Sequence, residues 1–499
     1  MMISKKCLSI FSVAGALLLS ATGFGRPITI LHTNDMHTQF LPEPAVWVKQ
    51  DPKPLIGGMK ALSGYLKELR DGEVVLLDAG DMMTGTLISA IEDHGVKGGG
   101  FIRMANRLHY DASVIGNHEF DNGFDNLKKV MKLSNFPWLS ANLYVDDTLL
   151  TSAYRIIRRN GLTIGIIGLT TDGLYGLVSP KHLKGMTIHP VPETAQKMID
   201  AVDPQTDLII LLTHEGFEVD SALAASIQNV DVIVGGHSHT RLPSPRVVND
   251  VIIVQTGARC QNLGKLNLEV NADTITSFNG SLVPLWESKI DPDPVMAALV
   301  DSFKTVIDEA YGKQIGTLKT EWKQAYSTES NLGNFITDAM RITANADFAV
   351  VNSGGIRKNL EKGSITLRDI YEILPFQNDL VSFECTGEEL LKLIETNTIR
   401  GGFEQGGILQ VSGIKYAYKI ENKEIHVIDA SVNGEMILPE KMYTGVTVDY
   451  VASDNAMRYM GFKPRAPEPL DLLLADVVVD YIKEHPSVSN KIEGRIVGK

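Results

Sequence analysis

The chain has 499 residues, which is more than one ordinary hydrophobic core accommodates and indicates two domains. Hydrophobic residues make up 44% and charged residues 21%, the composition of a soluble globular protein. The net charge of −13 argues against a nucleic-acid polymer or an anionic membrane surface as the main partner.

The first 25 residues have the pattern of a secretory signal peptide. A basic start at Lys5 and Lys6 is followed by the apolar stretch Leu8–Leu19 and a run of mostly small residues, Ala21–Gly25. An uncleaved anchor is the alternative, but the apolar stretch is shorter than the ~20 residues of a membrane-spanning helix. No second stretch is long enough to span a membrane. We expect an exported protein, periplasmic in a two-membrane bacterium and extracellular otherwise.

Short apolar runs and helical patterns alternate through residues 26–288, as in an α/β domain with buried strands. Helical spacing occurs at Lys60–Arg70 and Pro192–Ala201, and Ile156–Leu169 indicates a hairpin turning at Asn160-Gly161. The predicted buried strands are Ile28–His32, Val74–Asp78, Ala112–Ile115, Leu208–Leu212 and Val232–Val234. Sheets of this kind bind ligands beyond the carboxyl ends of their strands.

A polar cluster follows each of these five runs. The candidate metal ligands are Asp35, His37, Asp81, Asn117, His214, His237 and His239. Imidazole, carboxylate and amide groups together suit first-row divalent ions such as Zn, Mn or Co. We therefore predict two divalent ions bridged by Asp81, one with Asp35, His37 and His239, the other with Asn117, His214 and His237. Two ions roughly 3.5–4 Å apart can clamp the oxygens of a displacement at phosphorus.

His118 follows a predicted ligand directly and cannot easily face the same ion. We assign it to catalysis, with Asp121 orienting its imidazole. Taken singly, each motif also fits ordinary turn chemistry, because Asn, Asp and Gly dominate turns. Five such clusters at five strand ends favour one shared site.

The segment 289–312 is predicted to link the domains, with an amphipathic helix at Val295–Tyr311. The second domain, 313–499, has helical patterns at Leu332–Ala344 and Glu388–Thr396. Its predicted strands are Ala346–Val351, Lys415–Ile420 and Thr444–Val448. Cys260 and Cys385, in different predicted domains, are expected to be small buried side chains.

The motifs ILHTNDMHTQF, DAGD, GNHEFD, LTHEG and GGHSHT resemble, in this order, the calcineurin-like metallophosphoesterases. The run LHTNDMH and the later motifs NLGNFITDAM, VVNSGGIR, LPFQNDL and LQVSGIKY are similar to the 5′-nucleotidase/UDP-sugar hydrolase family within them. The resemblance implies an αββα catalytic sandwich followed by a C-terminal α/β (α+β) substrate-recognition domain that swings relative to it. It also implies that Asn352 and Arg357 contact the substrate; a solvated loop charge at Arg357 is the alternative.

The resemblance implies a binuclear metal-dependent phosphohydrolase, foremost a 5′-nucleotidase-like phosphomonoesterase acting on a small molecule. Hydrolysis of UDP-sugars, dinucleotides or 2′,3′-cyclic nucleotides is an alternative, and an exported two-domain binding protein is a non-enzyme alternative. The chain departs from the family pattern in its second domain. It has no arginine in 313–330, and Gly407 and Ile408 stand where an aromatic residue is usual, although Phe403 is close. The family's second aromatic residue, which usually follows a Gly-Gly-Asp segment, is also absent at its usual position, where the chain reads Tyr450–Met457. The loss of both weakens the prediction of nucleobase recognition.

Overall fold

The computed structural model describes residues 25–498, apart from 71–72, 272, 377, 403–406, 422–423 and 454. The predicted signal peptide lies outside the described residues except for Gly25, and so does Phe403. Among the described residues, no helix combines the length and the apolar character needed to cross a membrane.

Two six-stranded sheets form the centre of the N-terminal half. The first contains, in spatial order, Ile275–Pro284, Asn262–Val270, Arg26–Thr33, Val74–Asp78, Ala112–Val114 and Trp138–Leu139. The second contains Tyr154–Arg159, Leu162–Thr170, Leu208–His214, Val232–Gly235, Val251–Val254 and Arg246–Val248. Fully buried aliphatic side chains such as Ile30, Val75, Ile210 and Val234 fill the space between the sheets.

Helices cover the outer face of each sheet. Those packed against the first sheet are Gly58–Leu69, Gly99–Leu108, Phe124–Leu133 and Pro294–Tyr311. Those packed against the second are Val191–Val202 and Phe217–Ser226. The predicted αββα sandwich is confirmed. Small two- and three-stranded sheets lie at its margins, formed by Glu43–Pro44 with Leu55–Ile56, Glu92–Asp93 with Val96–Lys97, and Thr148–Leu149 with Leu143–Val145 and Met186–Ile188.

All five apolar runs singled out in the sequence form strands. In the first sheet, Arg26–Thr33 pairs in parallel with Val74–Asp78, which pairs in parallel with Ala112–Val114. In the second sheet, Leu208–His214 pairs in parallel with Val232–Gly235. The carboxyl ends of parallel neighbours point to the same edge, so the polar residues after these strands meet there.

The C-terminal half has its own core, which includes the fully buried Trp322 and Phe348. Its main sheet contains Leu409–Ser412, Phe348–Asn352, Met442–Val448, Asp379–Thr386 and Arg465–Leu473. Smaller sheets are formed by Gly363–Thr366, Gln314–Leu318 and Ser487–Val488, and by Glu435–Met436, Glu424–Val432, Ile414–Glu421 and Ile496–Gly498. The helices are Asn331–Ala344, Leu367–Ile373, Gly387–Gly402, Asp449–Ala452, Ala456–Met460 and Leu474–Glu484.

The predicted linker helix spans Pro294–Tyr311 and begins where the Asp293 side chain accepts a hydrogen bond from the Met296 amide. It buries Val300 and Phe303 against the N-terminal half. Its far end contacts the C-terminal half, because Tyr311 packs edge-on against Tyr371 with ring centroids 5.6 Å apart. The boundaries 26–288, 289–312 and 313–499 remain predictions. Cys260 and Cys385 are buried free thiols.

Candidate active site

Three of the predicted ligands form a group at the edge of the first sheet. Nε2 of His37 lies 2.9 Å from Nε2 of His239, which lies 3.4 Å from Oδ1 of Asp35. These three ligand atoms all fall within 4.8 Å of one another. The group therefore has the dimensions of one metal site.

The other predicted ligands form a second group at the neighbouring strand ends. Nε2 of His214 lies 3.1 Å from Oδ2 of Asp81, and Nδ1 of His237 lies 3.0 Å from Oδ1 of Asn117. Asp81 also falls within 4.8 Å of His37 in the first group. Asp81 thus stands between the two groups, where a bridging carboxylate belongs.

The hydrogen bonds of two histidines test whether the cluster fits metal ions. Nδ1 of His37 lies 2.9 Å from the Thr84 carbonyl, and Nδ1 of His214 lies 2.7 Å from the Ala79 carbonyl. A carbonyl only accepts, so each Nδ1 donates its hydrogen there and leaves Nε2 facing the cluster. Nε2 of His37 faces Nε2 of His239, and Nε2 of buried His214 faces the Asp81 carboxylate without a hydrogen-bond partner among the described residues. Imidazole nitrogens held in this way beside carboxylates fit divalent cations.

The backbone at the cluster is held in an uncommon conformation. Asp35, His37, Asp81, His237 and His239 all have φ between 48° and 73°. Non-glycine residues rarely adopt this left-handed region, at a cost on the order of 1–3 kcal/mol each, and such residues concentrate at functional sites. At Gly236 a β-carbon would lie 2.4 Å from the Ala79 carbonyl oxygen, so only glycine lets this loop approach so closely.

The His118 ring lies beside the cluster, and Asp121 fixes its orientation. Nδ1 of His118 donates to Oδ2 of Asp121 at 2.6 Å, and its Nε2 lies 3.9 Å from Oδ2 of Asp81. Burial lowers the pKa of His118, but the charges of Asp121 and Asp81 outweigh it and raise that pKa to about 9. Nε2 of this ring therefore faces the cluster with a proton to donate.

Two residues that support the cluster were not singled out in the sequence. Glu119 accepts from the amides of Asp81, Met83 and Gly116, which fixes the loop that carries Asp81. Asn34 donates to Asp35 and accepts from the Thr256 amide, tying two loops together. Glu119 lies in the motif GNHEFD and Asn34 in HTNDMH, so their positions beside predicted ligands could have identified them as supporting residues.

The C-terminal half forms the opposite wall of a cleft of about 420 Å³ above the cluster. Asn352 and Arg357 are among the residues that line it, and their contact with a substrate remains a prediction. Phe376 lies between the two walls, since its ring stacks on His118 with centroids 5.7 Å apart and lies 5.8 Å from the Arg357 guanidinium. Phe376 was missed as a site residue, although it belongs to the quoted motif LPFQNDL.

Three tyrosines complete this wall: Tyr326, Tyr450 and Tyr459. Tyr326 is 56% exposed, so its ring is open to a ligand, whereas Tyr459 is buried. Aromatic rings thus line the cleft although the family's two base-stacking aromatic residues are absent at their usual positions, and whether a nucleobase is recognised remains a prediction.

Comparison with known proteins agrees with this arrangement. The family model of calcineurin-like phosphoesterases matches residues 28–241, and that of the 5′-nucleotidase C-terminal domain matches residues 314–463. The chain is 31% identical to the 5′-nucleotidase of Bos taurus, over 97% of this chain and 92% of that protein. This chain belongs to the 5′-nucleotidase family.

Two further similarities extend over most of the chain. The trifunctional nucleotide phosphoesterase YfkN of Bacillus subtilis is 27% identical over 94% of this chain, which spans 35% of that longer protein. The crystal structure of a 5′-nucleotidase precursor from Thermus thermophilus superposes with a TM-score of 0.83 and 27% identity, covering 95% of this chain and 99% of that one.

Membership of the 5′-nucleotidase family confirms the expected two-domain α/β architecture and the expected class, a metal-dependent phosphoester hydrolase. The residues of the cluster and the cleft bear on how this member of the family works and on what it hydrolyses.

Proposed function

We propose that the chain is an exported phosphomonoesterase that uses two divalent ions to release phosphate from nucleotides. Export rests on the pattern of residues 1–25. The ligand sets are those predicted above, with Asp81 shared between the ions. Zn, Mn or Co suits this mixture of imidazole, carboxylate and amide groups.

One observation carries the proposal: the cluster of metal-type side chains and the substrate wall face each other across a single cleft. His118 and Asp81 line one side, and Asn352 and Arg357 line the other. A phosphoester held by Arg357 would therefore present its phosphorus to the cluster. A guanidinium suits this role because it forms paired hydrogen bonds to phosphate oxygens.

The protein side chains supply orientation and a proton. Divalent ions bound by the cluster would supply the Lewis acidity that activates water and neutralises charge on the phosphoryl oxygens. His118 holds a proton at Nε2 for the departing oxygen, and Asp121 keeps the ring turned toward it. A binding protein without turnover has no need of this pair, which argues against the non-enzyme alternative.

The aromatic rings of the cleft support a nucleotide as the substrate. Tyr326, which is 56% exposed, offers a face on which a base can stack, at roughly 1–3 kcal/mol per stacked base. The cleft also contains Asn378 and Asp449, whose side chains can hydrogen-bond to the edge of a base or to a ribose. This combination favours a nucleoside monophosphate over a simple phosphate ester.

A substrate panel tests the proposal. The chain from residue 26 onward, loaded with Mn²⁺, is assayed with and without EDTA. Phosphate release is measured with AMP and glycerol phosphate, and consumption of the substrate is followed by chromatography with UDP-glucose and 2′,3′-cyclic AMP, whose first hydrolysis products keep the phosphate esterified. We expect AMP to give the highest kcat/KM and EDTA to abolish it. A preference for UDP-glucose or the cyclic nucleotide would favour the alternative hydrolase activities, and chelator-insensitive or absent turnover would overturn the proposal.

A further inference from the structure

Arg458 lines the cleft with a guanidinium that has no protein partner among the described residues. It lies in the short helix Ala456–Met460 of the C-terminal half, and its side chain is exposed. Within the described part of the chain, no hydrogen bond engages it and no carboxylate oxygen lies within 4 Å of it. Its donors are therefore free for a ligand that enters the cleft.

The guanidinium of Arg458 stands where the two walls of the cleft meet. Its Nη1 lies 3.9 Å from the position that a β-carbon would occupy on Gly176 of the N-terminal half. The carbonyl of the same glycine accepts a hydrogen bond from the Tyr450 hydroxyl at 3.2 Å. The guanidinium carbon lies 5.8 Å from the centroid of the Tyr459 ring, which packs edge-on against Tyr450 at 6.0 Å. Arg458 thus lies beside two aromatic rings, and none of these contacts involves the metal-type ligands.

The neighbouring charges argue against a second anion in this part of the cleft. Asp449 precedes Tyr450 in the chain, and its Oδ2 lies 2.8 Å from Nζ of Lys181 in the opposite wall. The same ammonium lies 3.6 Å from Oδ2 of Asp379. Two carboxylates around one ammonium leave one negative charge, which Arg458 balances. An uncharged hydrogen-bond acceptor therefore suits the guanidinium better than a further phosphate does.

A guanidinium discriminates between purine bases because it carries five N–H donors and no acceptor. Guanine presents two adjacent acceptors, O6 and N7, and hypoxanthine presents the same pair. Adenine has an amino donor at N6 beside the acceptor N7, so a guanidinium that faces this edge meets a donor. A donor facing a donor leaves both without a partner, at a cost in binding free energy.

We propose that Arg458 determines base specificity by donating to O6 and N7 of a 6-oxopurine, so that GMP and IMP are preferred to AMP. The phosphoryl group of such a nucleotide lies toward Arg357 and the metal-type ligands, and its base lies beside Arg458. This inference rests on the proposed function, because it names the class of nucleotide that the same cleft hydrolyses.

The test compares nucleotides that differ in the base alone. Values of kcat/KM for GMP, IMP and AMP are measured with the Mn²⁺-loaded chain as the wild type, Arg458→Met, Arg458→Gln and the control Arg158→Met. Arg158 is an exposed arginine that does not line the cleft. The readout is the ratio of kcat/KM for GMP or IMP to that for AMP. Partial unfolding or loss of metal affects both values alike and leaves this ratio unchanged.

We expect the wild type to favour GMP and IMP over AMP about tenfold or more, as one bidentate base contact does. Arg458→Met should lose this preference because its donors are gone. Arg458→Gln should favour AMP, since a carboxamide pairs with N6 and N7 of adenine. Arg158→Met should keep the wild-type ratio. No preference for GMP and IMP in the wild type, or an unchanged ratio in Arg458→Met, would overturn the proposal.

The same measurements separate this inference from the proposed function. Hydrolysis of all three nucleotides with a ratio that does not depend on Arg458 would remove the role of Arg458 alone. If the wild type hydrolyses none of them, the proposed function fails, and isothermal titration calorimetry with GMP and AMP decides the role of Arg458. Tighter binding of GMP that is lost in Arg458→Met would keep the base site, and equal affinities for GMP and AMP would overturn it.

Discussion

Lys181 of the N-terminal half places its Nζ 2.8 Å from Oδ2 of Asp449 in the C-terminal half, and both residues line the cleft. The same nitrogen lies 3.6 Å from Oδ2 of Asp379. Next to this pair, the Tyr450 hydroxyl donates to the Gly176 carbonyl at 3.2 Å. These contacts join the two walls of the cleft.

Removing the Lys181 contacts is expected to loosen closure of the cleft. Partly exposed ion pairs contribute up to ~1 kcal/mol, so Lys181→Met should raise KM for a nucleotide about two- to fivefold at constant metal content. Steady-state kinetics compare it with Lys184→Met, an exposed neighbour outside the cleft. Equal KM values in both variants and the wild type would show that the ion pair plays no part in binding.

Tyr326 is expected to distinguish nucleotides from simpler esters. Losing one stacking ring removes roughly 1–3 kcal/mol, so Tyr326→Ala should raise KM for AMP about 5- to 100-fold and leave glycerol phosphate unaffected. Tyr154→Ala, on an edge strand outside the cleft, is the matched control. A similar loss with both substrates would mean that Tyr326 supports the fold and does not contact a base.

Asp231 is expected to make stability depend on pH. Burial raises its pKa to about 6, although it accepts a hydrogen bond from the Ile209 amide at 2.7 Å. The folded protein tolerates the protonated form of such a carboxyl better than the ionised form. Its contribution to stability is therefore fully present below the unfolded pKa of about 4, where the group is protonated in both states, and is lost as the pH rises through 6. Asp231→Asn should therefore match the wild type below pH 4 and melt at a higher temperature above pH 6. Thermal melts whose difference does not change with pH would contradict this.

Much of the catalytic half could be predicted because its candidate metal ligands lie in short motifs that directly follow apolar runs. Each of the runs before Asp35, Asp81, Asn117, His214 and His237 is apolar enough to indicate a buried strand, and the parallel topology then brings their ends together. The helix predicted at Lys60–Arg70 occurs at Gly58–Leu69, and Val295–Tyr311 occurs at Pro294–Tyr311. Periodicity and strand-end placement were sufficient here.

The substrate wall could not be predicted to the same extent, because it depends on tertiary contacts between distant segments. Phe376 reaches His118 only when the two halves pack together, and no local pattern marks it. Tyr326 lines the cleft from a loop, and Tyr450 lines it from the four-residue helix Asp449–Ala452, which is too short to show periodicity.

His118 is expected to affect turnover without affecting the metal content. His118→Ala should lower kcat about 10²- to 10⁴-fold, the usual contribution of one acid–base group, while both ions stay bound. His189→Ala, an exposed histidine outside the cleft, should have no effect on either measurement. Loss of an ion from His118→Ala would make His118 a ligand, which its position within 4.8 Å of His37 and Asp81 also allows.

Elemental analysis of purified, Mn²⁺-loaded protein tests whether Asp81 bridges two divalent ions. Asp125→Ala, which removes an exposed carboxylate elsewhere in the same half, is the control. We expect two ions per chain in the wild type and in Asp125→Ala, and at most one in Asp81→Ala, with loss of phosphate release from AMP. Two ions per chain in a folded Asp81→Ala variant would contradict the bridged site.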